Sequence, residues 1–292
     1  MALIQTILAQ YAASDAAGRA AMLQVKDGAL SAVSALHKYL SSKEYAEPTA
    51  RLIEEHVGME LTEPATPPVL AVRGLNVIAS YVTLPFSKEF LYPVVQFTIS
   101  SLRSGDRSLQ LEGANALSKL TRVRAVLKAL KPDVATLLKT VLELMATTVS
   151  ETLGIVMRRL LERFSAELVP HALAIVQQLV VLTENAMGVV ASSEQRFREQ
   201  QEDGTGALAG GGDDDDFFDD DDSAATEALR AAGQYIESLA TIVEALDGHD
   251  NVLAQVEVMV LPLLNHIFKT ENTELLAEAL RLIQVQIQFK AT

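Results

Sequence analysis

Apolar residues recur along this chain at the spacing of an α-helix. In PDVATLLKTVLELM the positions i, i+3, i+4, i+7, i+8 and i+11 counted from Val134 are all apolar, and similar stripes follow Pro170 and run from Val256 to Ile267. This spacing places the apolar side chains on one face of a helix. Only LIQVQIQF at 282–289 alternates like a strand, and because it continues the helix-favouring run ELLAEALRL, we predict a helix there as well. The chain is therefore predicted to be all-α.

Prolines divide these helices at regular intervals. Four intervals separate the five prolines; three are 38 to 45 residues long and the last is 92 residues long, for Pro48, Pro93, Pro132, Pro170 and Pro262. Proline is tolerated in the first turn of a helix, where its missing N–H has no partner to lose. Most of these prolines are therefore predicted to start the second helix of a pair, with Pro262 deeper in its helix. The first helices are predicted near residues 26, 68, 108, 150, 223 and 273.

Two helices in about 40 residues is the period of HEAT and armadillo repeats. We therefore expect a right-handed α-α superhelix, a HEAT/armadillo-like solenoid with a long acidic loop insert. The interval of 92 residues holds this insert together with a long helix that continues through SSEQRFREQQED. The predicted organisation is helical repeats over 1–202, an acidic disordered loop over 203–223, and the same solenoid continuing over 224–292.

The insert contains the sequence GGGDDDDFFDDDD at 210–222. One interpretation is a solvated spacer, because glycine and dense like charge oppose packing. The other is a site for a basic partner, in which the two phenylalanines anchor in an apolar groove while the carboxylates pair with lysine and arginine. The sequence does not fit a calcium-binding EF-hand loop, since Phe218 and Ala224 stand where glycine and glutamate are required. The candidate site residues are Asp213, Asp214, Asp215, Asp216, Phe217, Phe218, Asp219, Asp220, Asp221 and Asp222.

Charge and composition disfavour several classes of function. The formal net charge is -14, and without the eight aspartates it is -6, so affinity for nucleic acid or an anionic membrane is not expected. The longest apolar run, Val258 to Leu264, is too short to cross a bilayer, and the N-terminus has no basic region typical of a signal peptide. The chain is expected to be soluble, without membrane insertion.

Residues for catalysis or metal binding are scarce. There is no cysteine, and no nucleophile elbow, dinucleotide fingerprint or P-loop occurs. The histidines lie far apart, so structural roles are predicted for His37, His56, His171, His249 and His266. We expect a protein that is not an enzyme and that holds no metal or cofactor.

Two further segments bear on binding. Residues 103–131 carry seven basic residues against Asp106 and Glu112, which indicates either a solvated face or a resting dock for the acidic insert. The apolar last helix, 273–289, has no partner helix after it, although the terminal repeats of a solenoid need a polar cap. We therefore expect a piece of a longer solenoid, or a chain that docks against another protein.

An ordered set of segments resembles a known family. These segments resemble the middle of a nuclear import receptor of the importin beta superfamily. In chain order they are VKDGALSAVSALHKYL, the stretch through EHVGMEL, LEGANALSKL, and ELVPHALAIVQQLV followed by the acidic insert and SAATEALRAAGQYIESLATIVEAL. The order and spacing are most similar to the importin seven and eight subfamily, over roughly residues 25 to 285. The match corresponds to a central to C-terminal fragment.

The resemblance implies a superhelical karyopherin that shuttles between cytoplasm and nucleus. Such receptors bind basic cargo such as histones and ribosomal proteins, contact FG nucleoporins, and release cargo on binding Ran-GTP. In relatives the acidic loop touches Ran or basic cargo, a role that carries over to 213–216 and 219–222; the Phe pair departs from the family pattern. The N-terminal Ran-binding repeats have no counterpart here. The alternatives are a static HEAT-repeat scaffold in a larger assembly and an acidic histone chaperone.

Overall fold

The computed structural model describes residues 2–63, 66–202, 219–270 and 273–290. Over these ranges the chain forms helices and turns, and no residue among them is in a strand. Short 3-10 turns occur at 131–133, 169–171 and 273–275. The helices are α1 Ala2–Ala13, α2 Ala16–Ala21, α3 Leu23–Ala35, α4 His37–Leu40, α5 Ala46–His56, α6 Gly58–Thr62, α7 Pro68–Ser80, α8 Lys88–Ser101, α9 Arg107–Leu120, α10 Arg124–Leu130, α11 Val134–Thr147, α12 Glu151–Arg163, α13 Ser165–Leu168, α14 Ala172–Glu202, α15 Asp219–Ala245, α16 Asp250–Lys269 and α17 Leu276–Lys290.

The predicted all-α fold is confirmed. The six predicted first helices correspond to α3, α7, α9, α12, α15 and α17, and LIQVQIQF lies in α17. Pro48 lies in the first turn of α5, while Pro132 and Pro170 lie in the 3-10 turns that lead into α11 and α14. Pro262 lies inside α16, as predicted.

Pro93 differs from the prediction, because it lies inside α8 rather than in its first turn. The helix begins earlier, at Lys88, where capping interactions favour a start. The hydroxyl of Ser87 accepts a hydrogen bond from the N–H of Phe90 at 3.3 Å. The N–H of Ser87 in turn donates to a carboxylate oxygen of Glu54 in α5 at 2.6 Å. An N-cap of this kind satisfies helix N–H groups that have no partner within the helix.

The chain divides into two compact units, residues 1–137 and 138–292. In the first unit α7 packs against both α3 and α9, so that three first helices form a row. Helix α8 packs against α6, α9 and α10. Leu30, Leu75 and Leu117, one from each helix of the row, are fully buried. The row is therefore held by apolar side chains at helical spacing.

The first unit also buries an ion pair. The ammonium of Lys26 on α3 pairs with the carboxylate of Glu60 on α6, and their side chains are only 3% and 6% exposed. The Lys26 Nζ lies 4.0 Å from the centre of the Tyr11 ring, which adds a cation–π contact. Burial lowers the pKa of Lys26, and the hydrogen bond to Glu60 opposes that shift. Each charge therefore offsets the cost of burying the other.

In the second unit, α15 lies at the centre. It packs against α12, α14 and α17, while α14 also packs against α16. Its buried face includes Ala228, Ala231 and Ala232, and these small side chains allow neighbouring helices to approach closely. Opposite it, Gly154 of α12 has no room for a side chain, because an added Cβ would lie 2.5 Å from the Cβ of Gln234. Stacked rows of this kind are typical of an α-α solenoid.

Two stretches of helix, Ser165–Arg196 and Asp250–Lys269, are long and apolar enough to cross a membrane by length and composition alone. Half of the most apolar window of the first and a third of that of the second are buried within the protein. The longer one includes α14, which packs against α15 and α16. Burial of this kind is also found in the core helices of globular proteins.

Candidate acidic site

The predicted acidic site lies partly outside the part of the chain that the structure describes. Asp213 to Asp216, Phe217 and Phe218 are outside the described residues. Asp219 to Asp222 form the first residues of α15, so this helix begins before the predicted boundary at 224. Aspartate is favoured in the first turn of a helix because its negative charge complements the helix dipole.

Two long helices bracket the acidic segment. Helix α14 has 31 residues and α15 has 27, and at a rise of 1.5 Å per residue they are about 46 Å and about 40 Å long. The predicted continuation of α14 through SSEQRFREQQED is confirmed, with the helix ending at Glu202. The segment thus connects the C-terminus of one long helix to the N-terminus of the next.

The two helices run antiparallel. At one end Leu168 and Ile175 line a small cavity together with Ile242 and Leu246, near the end of α15. At the other end the late part of α14 lies beside the start of α15. Both ends of the acidic segment therefore emerge at the same end of this helix pair.

A groove lies between the two helices at this end. It has a volume of about 460 Å³ and is open to solvent. Glu184 and Arg196 contribute charges and Val189 contributes an exposed apolar surface, since its side chain is 40% exposed. The complete lining is Glu184, Asn185, Gly188, Val189, Ser192, Ser193, Arg196, Ala224 and Ala225.

A second groove lies on another side of α14, where α15, α16 and the start of the last helical segment meet. Its volume is about 410 Å³. Glu194 and Glu274 line it, together with His266, so its charged groups are mainly carboxylates. Met187 and Val190 supply an apolar floor. Sequence patterns gave no sign of either groove, because the residues that line each one come from separate helices.

These grooves combine apolar surface with the carboxylates of Glu184, Glu194 and Glu274. Such a site attracts lysine and arginine side chains, whose aliphatic stems cover apolar surface while their charges face acid. Across the described ranges, no group of three His, Asp or Glu residues is placed to hold a metal ion. His37 and His249 direct a ring nitrogen to a nearby backbone carbonyl, each at 3.1 Å.

Comparisons with known proteins bear on this arrangement. No family model matches the chain. A probable importin-7 homolog of Dictyostelium discoideum is 22% identical over 260 residues, which cover 88% of this chain and 21% of that protein. An importin beta-like SAD2 homolog of Arabidopsis thaliana is 22% identical over 271 residues, which cover 92% of this chain and 23% of that protein. The resemblance to the importin beta superfamily is confirmed.

The chain spans about a fifth of the length of these importin relatives. The likeness thus concerns one segment of an importin-like protein. Among solved structures, an engineered protein aligns with a TM-score of 0.54 and 13% identity, covering 97% of this chain and 98% of that one. At this identity the match supports the helical fold alone.

Proposed function

We propose that this chain is a segment of a nuclear transport receptor that binds basic protein cargo through its acidic segment and the two grooves beside α14. The observation that carries the proposal is the antiparallel α14 and α15 pair, which brings both ends of the acidic segment to the end where the grooves lie. The importin likeness supports the class of protein, and the absence of catalytic motifs favours binding over catalysis.

The proposed cargo is basic protein such as histones and ribosomal proteins. Long-range attraction by the aspartates speeds the encounter, and desolvated contacts in the grooves set the lifetime of the complex. We further propose that Ran-GTP regulates release, that FG nucleoporins bind the receptor, and that it shuttles between cytoplasm and nucleus. We propose these partners because the importin likeness supports a transport function.

Replacement of the eight aspartates of 213–216 and 219–222 by serine is expected to weaken binding of a basic cargo peptide by about tenfold or more. Exposed charges are screened within ~8 Å at physiological salt, so the affinity of the unmodified chain falls as salt rises. The variant should show a shallower salt dependence. Fluorescence anisotropy with a labelled histone-tail peptide at several salt concentrations measures both effects.

A second variant, with Phe217 and Phe218 changed to serine and all aspartates kept, serves as the control for charge. It should keep the salt dependence, and any loss of affinity then reports apolar anchoring by the Phe pair. Unchanged affinity and unchanged salt dependence in the aspartate variant would contradict a role for the segment and favour the static scaffold. Cargo that stays bound to the full-length protein when Ran-GTP is added would favour an acidic histone chaperone instead.

A further inference from the structure

A surface of opposite charge lies in the first unit. Residues 113–132 contain no acidic residue, although the chain as a whole has a formal charge of -14. Four cations from this stretch are exposed at the turn after α9 and along α10. We call them the basic ridge: Arg122, Arg124, Lys128 and Lys131.

The basic ridge has a defined geometry. Arg124, Lys128 and Lys131 are spaced at i, i+4 and i+7, so they lie on one face of the helical segment. Val126 and Leu130 on the opposite face are buried, and α10 packs against α8. The cations are therefore displayed on a helix that is fixed to the core. At 1.5 Å per residue the face from the first to the last of them is about 10 Å long.

Three cations of the ridge, Arg122, Arg124 and Lys128, form no ion pair with any residue in the described part of the chain. Some basic residues of the same unit do form ion pairs, as in the contact between Arg73 Nε and Asp27 Oδ1 at 2.8 Å. Arg122, Arg124 and Lys128 are thus available to an external anion.

The ridge also works against local stability. Helix α10 begins with Arg124, and its N-cap residue, Val123, makes no side-chain capping hydrogen bond. A positive charge at a helix N-terminus opposes the helix dipole. Arg124 and Lys128 are a like-charge pair at i,i+4, which also destabilises a helix. Residues that break local rules without an internal gain are expected at functional sites.

We propose that the basic ridge binds an acidic segment of a partner protein. An extended peptide rises about 3.3 Å per residue, so three or four residues span the ridge and place carboxylates opposite its cations. Guanidinium groups hold carboxylates through paired, charge-assisted hydrogen bonds. An anion at this position also offsets the repulsion within α10.

Nucleic acid fits the ridge less well. The ridge is short, and residues 113–132 contain no aromatic side chain on which bases stack. The ridge equally repels basic cargo. It is therefore a second binding surface, with a ligand opposite in charge to that of the acidic segment.

The test measures binding of a fluorescent peptide of ten glutamates to the intact chain at 50 and 150 mM salt. Arg124→Glu combined with Lys128→Glu is expected to weaken binding at least tenfold, because two attractive contacts become repulsive. The matched control is Lys38→Glu with Lys43→Glu, which changes the net charge equally at two exposed cations of the same unit. This control should weaken binding less than threefold. Circular dichroism and thermal unfolding establish that both variants fold.

Two outcomes would overturn the proposal. Equal losses in the ridge variant and the control would mean that the peptide responds only to net charge. A single-stranded oligonucleotide of the same charge that binds more tightly than the peptide, and loses binding in the ridge variant, would make the ridge a nucleic-acid surface. Failure of the ridge test leaves the cargo proposal untouched, because the aspartate variant alters other residues.

Discussion

Replacement of Glu60 by glutamine is expected to lower the free energy of unfolding by about 3–5 kcal/mol, since it leaves Lys26 as a buried charge without a counterion. Both side chains are almost completely buried, so solvent cannot compensate the ammonium. The cation–π contact with Tyr11 remains but is weaker than an ion pair. Chemical denaturation followed by circular dichroism measures the loss.

The pH dependence of this variant provides a second readout. Burial already lowers the pKa of Lys26, and removing the carboxylate that opposes the shift lowers it further. The folded state then binds fewer protons than the unfolded state between the lowered pKa and the ordinary value of about 10.4. Stability rises with pH in that window. The free energy of unfolding of Glu60→Gln should therefore come closer to that of the unmodified chain as the pH is raised from 7 to 9.

A double variant, Lys26→Met with Glu60→Leu, is the control for the ion pair. Replacing both partners by apolar residues removes the uncompensated charge, so its stability should lie within about 1 to 2 kcal/mol of the unmodified chain. If Glu60→Gln lowered the free energy of unfolding by less than about 1 kcal/mol at pH 7, the ion pair would not be buried as described.

Replacement of Gly154 by alanine is expected to destabilise the second unit by about 2 kcal/mol or more. An added Cβ would lie 2.5 Å from the Cβ of Gln234 and 3.2 Å from the ring of Tyr235. A Cβ cannot rotate away, so α12 and α15 must separate, and overpacking of this kind commonly costs about 1–3 kcal/mol. The gain of about 1 kcal/mol in helix propensity does not offset it.

Gly188→Ala is the matched control. Gly188 lies in α14 of the same unit, and an added Cβ there meets no other atom within 4 Å. This variant should be more stable by about 0.5–1 kcal/mol, because alanine restricts the unfolded chain and favours the helix. Urea unfolding of the two variants in parallel gives the comparison. If both Gly154→Ala and Gly188→Ala were more stable than the unmodified chain, the close contact of α12 with α15 would be ruled out.

The sequence predicted the helix pairs well because their signals are local. Apolar stripes and first-turn prolines depend on residues within a few turns of each other, and they correctly placed α7, α12 and α14. The predicted start of α8 was wrong because the signal for it is not local. The observed start depends on a contact between Ser87 and Glu54, which are far apart in sequence.

Parts of the candidate site depend on the same distant contacts. The grooves beside α14 involve Leu229, His266 and Glu274, whose proximity to α14 no periodicity encodes. Lys26 lies on the apolar stripe that continues through Ala29 and Leu30, which was a usable sign of burial. Its partner, however, lies 34 residues away on another helix. Local pattern thus gives the elements, and packing decides which side chains meet.

The antiparallel helix pair also fixes where the acidic segment is attached. Glu202 and Asp219, the described residues on either side of it, belong to helix ends that lie at the same end of the pair. In the proposed function, a basic ligand that leaves one carboxylate of the segment would meet another before it diffuses away, because all of them are tethered to that end. We therefore expect slow overall dissociation from many weak contacts.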